Sequence, residues 1–392
     1  MHLKYSVKEE IRYDMKYTEQ MEEALWQKWS DYDTDAEYAS TIEFLNAEDG
    51  FRSFGDGLVA LMQKKDPSMD TDKAIAHLTA CCKKNGVELC EIGSTNTLKS
   101  WFKGGPRPKK GEDSRDAMFA LAFALEFTPD EAAELFHKVY LDRAFNFRNE
   151  KELVYYFCLA NRKTWADAKR IIAAIEHDVP GNEATLYTAA IQTDVDKFSN
   201  ESELLAYIKT HRHNMEQNNV TAKKHLDRLL DQAKKYAVQE AYLPEHEGQF
   251  DGAWKNEKTV SVNFMYALIT DTTPSAKKGT TTVFKSARLP KEIKNRFPEA
   301  GSFSEKEPTY ESIRKMIVML FSYTFWYHVQ WEKKDFDIED YTEQLNALLN
   351  ECGFSPLYYG NPYDWMFLYC TLSDAPLDVF RGMVSEVLSE EE

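Results

Sequence analysis

The sequence predicts an all-α, multidomain helical bundle with a helix-turn-helix-like module, and three observations carry that expectation. Apolar residues recur at spacings of three and four through most of the chain. Capping residues bracket several of these runs. Hydrophobic residues make up 43% of the 392 positions, against only 16 Gly and 13 Pro, which excludes a disordered or low-complexity chain. A chain of this length is expected to divide into more than one core.

Four segments follow in order. Residues 1–50 form an acidic helical arm, with Met21, Leu25, Trp29, Ile42 and Leu45 at helical spacing between carboxylates. Residues 51–148 form a helix-turn-helix-like module. There Ile75, Leu78 and Cys82 mark one helix face that Gly86 can terminate, and Ser94 or Thr95 caps a short helix presenting Leu98, Trp101 and Phe102. RDAMFALAFALEF is a strongly apolar helix, and Thr128, Pro129 and Glu131 spell the start of the next one as N-cap, first helical residue and capping-box acid. Residues 149–243 read as a helical middle domain with a possible cap at Thr164, and the polar stretch Leu243 to Thr259 reads as a linker. Residues 260–392 read as a C-terminal helical domain in which Gly353 ends a helix and Ser261 to Ile269 suits either a strand or a helix start. No repeat of fixed period is evident in the letters.

Charge is unevenly distributed. The net charge is −17, yet residues 1–50 carry 5 Lys/Arg against 13 Asp/Glu and residues 331–392 carry 3 against 14, so the middle is near neutral overall and locally basic. Gly93 to Gly111 holds Lys99, Lys103, Arg107, Lys109 and Lys110 and no carboxylate. A second run, Pro274 to Pro298, includes Lys291, Lys294 and Arg296 among seven cations against Glu292 alone. Around the first run, Asn96, Thr97 and Ser100 add amide and hydroxyl groups. Cations suit phosphates and amides or hydroxyls suit base edges, so the combination points to nucleic acid.

The run TLKSWFKGGPRPKKGEDSRDAMFALAFALEFTPDEAAELF resembles the second half of a Cro/C1-type (XRE-like) helix-turn-helix domain, through Trp101, Gly104, Pro108, Ala124, Leu125 and the Thr128 to Glu131 cap. That resemblance covers about residues 95–140 and implies that Thr95, Asn96, Thr97, Lys99, Ser100 and Lys103 lie on or near a groove-facing helix. The family's Gln-x-x-Leu-Ala helix and its three-residue turn are missing, and about eight residues, Val87 to Ser94, separate the candidate helices. The blocks LPKEIKNRFP and GNPYDWMFLYC resemble uncharacterised helical proteins of gut Firmicutes, often in mobile-element settings, which bring no known activity.

Other chemistry is weakly signalled. His77, Cys81, Cys82 and Cys90 lack the paired spacing of a zinc site, and no nucleotide-binding, metalloprotease or hydrolase motif is present, so neither a cofactor nor catalysis is expected. The N-terminus shows no export signal and the longest apolar run, Met316 to Tyr327, falls short of the roughly 18 residues a bilayer span needs, so a cytoplasmic protein without membrane contact is expected. Phe321, Tyr323, Phe325, Trp326, Tyr327 and Trp331 are core aromatics that could also meet a protein partner. The functional expectation is a non-catalytic DNA-binding protein, a regulator or mobile-element factor. The alternative is a protein-interaction scaffold or inhibitor whose acidic termini mimic nucleic acid. Oligomeric state is left open.

Overall fold

The computed structural model describes residues 17–28, 51–109, 111–175, 188–215, 220–241, 310–332 and 337–389, with a few isolated positions between them. In chain order the helices are α1 (17–28), α2 (Phe54–Gln63), α3 (Thr71–Asn85), α4 (Leu89–Ile92), α5 (Thr95–Trp101), α6 (Glu112–Ala124) and α7 (Pro129–Glu134). A π-helical run, Leu135–Tyr140, continues α7. Then come α8 (Glu150–Ala160), α9 (Trp165–Ala173), α10 (Thr188–Val195), α11 (Glu201–Met215) and α12 (Val220–Ala241). The last four are α13 (Tyr310–Glu332), α14 (Ile338–Glu351), α15 (Pro362–Thr371) and α16 (Pro376–Ser389). The protein is all-α, and the strand pairing among the described residues is a two-residue antiparallel contact of Pro274–Ser275 with Val283–Phe284.

The local signals act where the sequence puts them. Ser94 caps α5 by accepting from the Thr97 N–H at 3.1 Å. Thr128 and Glu131 exchange both bonds of a capping box at α7, and Thr164 does the same with Asp167 at α9. Gly86 (φ 67°) and Gly353 (φ 73°) adopt the left-handed conformation that ends α3 and α14.

Packing draws the domain edges differently from the four expected segments. Two compact units form, unit 1 over residues 52–220 and unit 2 over residues 14–51 and 221–392 among those described. The reason lies in the cores. One cluster runs without interruption from Phe54 through Phe119, Phe136 and Phe157 to Ile208, so the expected module of residues 51–148, Phe51 apart, shares its core with much of the expected middle domain. A second cluster gathers Met21, Leu25 and Leu45 with α12 to α16, so the described part of the acidic arm shares a core with segments far along the chain. The Trp365 indole N–H donates to the Met21 carbonyl at 3.1 Å, and the Phe44 ring lies 5.0 Å from that of Trp365.

Unit 2 is organised around α13. Tyr323 and Trp326 are fully buried, and the Trp326 N–H donates to the Thr371 hydroxyl at 3.0 Å. Arg314 reaches from the start of α13 to the buried carboxylate of Asp364, making two bonds of 2.8 Å, and also donates to the carbonyls of Ser355 and Pro356. Asp364 additionally accepts from the Tyr358 N–H at 3.0 Å. The aromatic residues expected to meet a partner are thus largely used by unit 2 itself. The linker stretch Leu243 to Thr259 and the ambiguous Ser261 to Leu268 lie outside the described residues.

Candidate nucleic-acid interface

The basic stretch is held on unit 1 by a short, tightly seated helix. Leu98 and Trp101 of α5 are buried, with the Trp101 ring edge-on to Phe54 at 4.7 Å. Gly55 of α2 lets the two backbones meet, since a Cβ there would lie 2.2 Å from the Trp101 carbonyl oxygen. Glycine is needed again at the end of α5. Gly104 (φ 77°) takes a left-handed turn, and Gly105 passes so close to Ser100 that a Cβ would lie 2.1 Å from its hydroxyl.

Between Gly86 and Ser94, where the sequence shows only a connector, the chain forms α4. Glu88 and Glu91 cap it reciprocally, the Glu88 N–H donating to Glu91 at 2.9 Å, and Ile92 anchors it in the core. Gly93 and Ser94 alone then separate α4 from α5. The order is therefore a helix, a two-residue turn and a second helix whose outer face is polar. Four residues show no helical period, which is why α4 is not legible in the letters.

The candidate residues fall into three groups. Asn96, Thr97, Lys99, Lys103 and Lys109 are exposed on α5 and the turn after it. The Thr97 hydroxyl lies 2.8 Å from that of Ser94, so it also helps close the cap. Ser100 and Arg107 are turned inward. Ser100 is half-buried beneath the glycine turn, and the Arg107 guanidinium donates to the carbonyls of Val139 and Arg52. Arg107 thereby fastens the turn to the π-helical run. The Tyr140 hydroxyl makes a second fastening, donating to the Lys109 carbonyl at 2.9 Å. Lys110, Lys291, Lys294 and Arg296 lie outside the described residues. An open groove of about 500 Å³ runs beside α5, lined by Thr97, Ser100, Trp101, Lys109 and Met118.

Unit 1 also holds a buried charge cluster that sequence reasoning missed. Arg115 of α6 donates to both oxygens of Glu152 at 2.8 Å, to Asp142 at 2.9 Å, and to the carbonyls of Arg143 and Ala144. All five guanidinium N–H groups are used. The guanidinium also packs on the Phe136 ring at 4.7 Å. Burial alone would lower the arginine's pKa, but Glu152 and Asp142 outweigh it and raise it, so the cation stays charged. Glu152 further accepts the Asn146 N–H at 2.7 Å. The run preceding this loop ends at Leu141, which is forced to φ 59°.

Other titratable groups offer little chemistry. All six cysteines are thiols, and burial pushes Cys82 up to about 11 and Cys158 up to about 12, away from nucleophilic thiolate. His77 Nε2 and Cys81 Sγ are 3.4 Å apart on α3, but among the described residues no group of three His, Cys, Asp or Glu gathers to hold a metal. No described helix is long and apolar enough to cross a membrane. No family model matches the chain, and neither a curated protein nor a solved structure matches it.

Proposed function

We propose that unit 1 binds nucleic acid, duplex DNA in the first place, through the outer face of α5 and the turn that follows, without catalysing a reaction on it. The observation that carries this reading is the arrangement of α5. Its inner face is locked by Leu98 and Trp101, while Asn96, Thr97 and Lys99 stand exposed directly after a helix and a two-residue turn. A rigid polar helix face can approach base edges, and Lys99, Lys103 and Lys109 can neutralise phosphates around it. In this reading Arg107 holds the turn in place and Ser100 supports it from below. The Cro/C1-type resemblance supports the same placement, and a regulatory or mobile-element role is the setting we attach to it.

Backbone contacts make such binding steeply dependent on salt, with the logarithmic slope falling by about one for each phosphate contact removed. Fluorescence anisotropy with labelled duplexes across a salt series measures that slope. The double variant Lys99→Ala, Lys103→Ala is expected to reduce it by about two and to weaken binding evenly across sequences. Asn96→Ala is expected to change preference between sequences with little change in slope. If the intact protein binds no duplex at low salt, the proposal fails.

The scaffold or inhibitor alternative requires acidic ends that act on their own. Met21, Leu25 and Leu45 are instead built into the core of unit 2, so removal of the N-terminal segment would cost that unit its packing as well as its charge.

A further inference from the structure

We infer that the two units contain copies of one duplicated module whose labour has been divided by charge, the near-neutral unit 1 keeping the polyanion contact and the acidic unit 2 excluded from it. The case for duplication rests on two arginines, Arg115 buried and Arg314 half-buried, which perform the same task on the same frame. In unit 1, Arg115 near the start of α6 ties down the acid three residues after the cap of α8. In unit 2, Arg314 near the start of α13 ties down the acid three residues after the cap of α15.

Counted from that acid, the details coincide. Eleven positions before it stands a left-handed residue ending the preceding helix, Leu141 (φ 59°) and Gly353 (φ 73°). Nine and eight positions before it lie the two carbonyls that the arginine also binds, Arg143 and Ala144 in one unit, Ser355 and Pro356 in the other. Six positions before it a backbone N–H, of Asn146 or Tyr358, donates to the acid itself. Three positions before it an asparagine, Asn149 or Asn361, caps the helix. Six positions after it a cysteine, Cys158 or Cys370, is fully buried. A further helix follows each time, α9 and α16. Independent loops that close on an arginine have no reason to share all these offsets, because many loop paths satisfy a guanidinium equally well. Two differences mark divergence. Arg115 meets Glu152 through Nε and Nη2 and has a second carboxylate in Asp142, whereas Arg314 meets Asp364 through Nη1 and Nη2 and has Phe354 at the position of Asp142.

The division of labour follows from where the charge sits, and it rests on the function proposed above; the duplication does not. Unit 2 carries nearly all of the net charge of −17 even with the seven cations of its Pro274 to Pro298 run counted, while unit 1 is close to neutral and displays Lys99, Lys103 and Lys109. A strongly acidic body is repelled by phosphate at moderate salt.

Amide hydrogen exchange on the full chain tests the duplication without any ligand. Lysine lacks the planar fork, so Arg115→Lys and Arg314→Lys are conservative variants that each loosen one clamp. The expected result is faster exchange confined to residues 141–160 in the first variant and 353–371 in the second. A reciprocal exchange of the left-handed residue provides a gentler check. Leu141→Gly should slow opening of its loop and Gly353→Leu should speed opening of the equivalent one, each by about fivefold. If Arg314→Lys leaves 353–371 unchanged, or the reciprocal pair moves in the same direction, the duplication is overturned. Salt-dependent duplex binding then tests the division. Lys99→Ala, Lys103→Ala, Lys109→Ala together should remove the salt-dependent component, and a substantial residual slope would overturn the division and assign unit 2 a contact of its own. Absence of binding by the intact protein would instead overturn the proposed function, and the division with it, while the exchange result on duplication stands.

Discussion

Gly55 shows how much of the seating of α5 on α2 depends on an atom that is missing. The Trp101 carbonyl occupies the space where a side chain would begin, so Gly55→Ala forces α2 and α5 apart at their tightest point. A loss of about 1–3 kcal/mol is expected, as for overpacking elsewhere. Urea unfolding measures that loss, and duplex binding should weaken in parallel because α5 moves with it. Arg162 presents the opposite case. It is exposed and held at φ 55°, a conformation that costs an ordinary side chain energy and glycine almost none. Arg162→Gly should therefore raise stability by about 0.5–1 kcal/mol, read as a higher melting temperature. The exposed arginine offers no buried packing to lose. Arg107 has a different lesson at this scale. Its letter suggests a phosphate contact, but its acceptors are carbonyls 32 and 55 positions away, a separation no local pattern reveals.

Among the elements, α9 and α11 are joined by charge. Glu201 at the start of α11 accepts both arms of Arg170, at 2.7 and 2.8 Å, and also accepts from Lys163 at 3.0 Å. Arg170 and then Lys163 hold the Glu201 carboxyl down to about 2, from an ordinary 4.5. Thr164 and then Arg170 hold Asp167 likewise down to about 2. A depressed carboxyl stabilises the fold above its ordinary value, and the contribution disappears as pH falls through the folded value. The stability of unit 1 is thus expected to decline between about pH 4.5 and about pH 2. Glu201→Gln should flatten that part of the curve in an acid titration followed by circular dichroism. High salt should shrink the difference, because these groups are largely exposed and easily screened. The caps of α5, α7 and α9 were legible because each is written within four residues. The helix α4 was not, since it holds itself by a capping box and one buried isoleucine rather than by a period.

For the molecule as a whole, unit 1 occupies the chain between two parts of unit 2. Its core is self-contained from Phe54 to Ile208, so residues 52–215 are expected to fold alone, with cooperative unfolding as the test. Leu25, fully buried in the core of unit 2, gives the complementary prediction. Leu25→Ala should destabilise unit 2 by about 2–5 kcal/mol while leaving the unfolding of residues 52–175 unchanged, as resolved by hydrogen exchange. The repeat between the units escaped the letters because residues 141–160 and 353–372 agree in identity only at Asn149 with Asn361 and Cys158 with Cys370. What recurs is a left-handed turn, a pair of carbonyls and a buried ion pair, and backbone groups carry most of that without regard to side-chain identity. By itself the sequence determined the helical class, the caps and glycine stops, and the basic stretch on an acidic chain, because propensity, capping and charge are local properties. Tertiary structure decided which segments share a core, which cations face outward and which are consumed by carbonyls, because burial and long-range pairing depend on residues far apart in the chain.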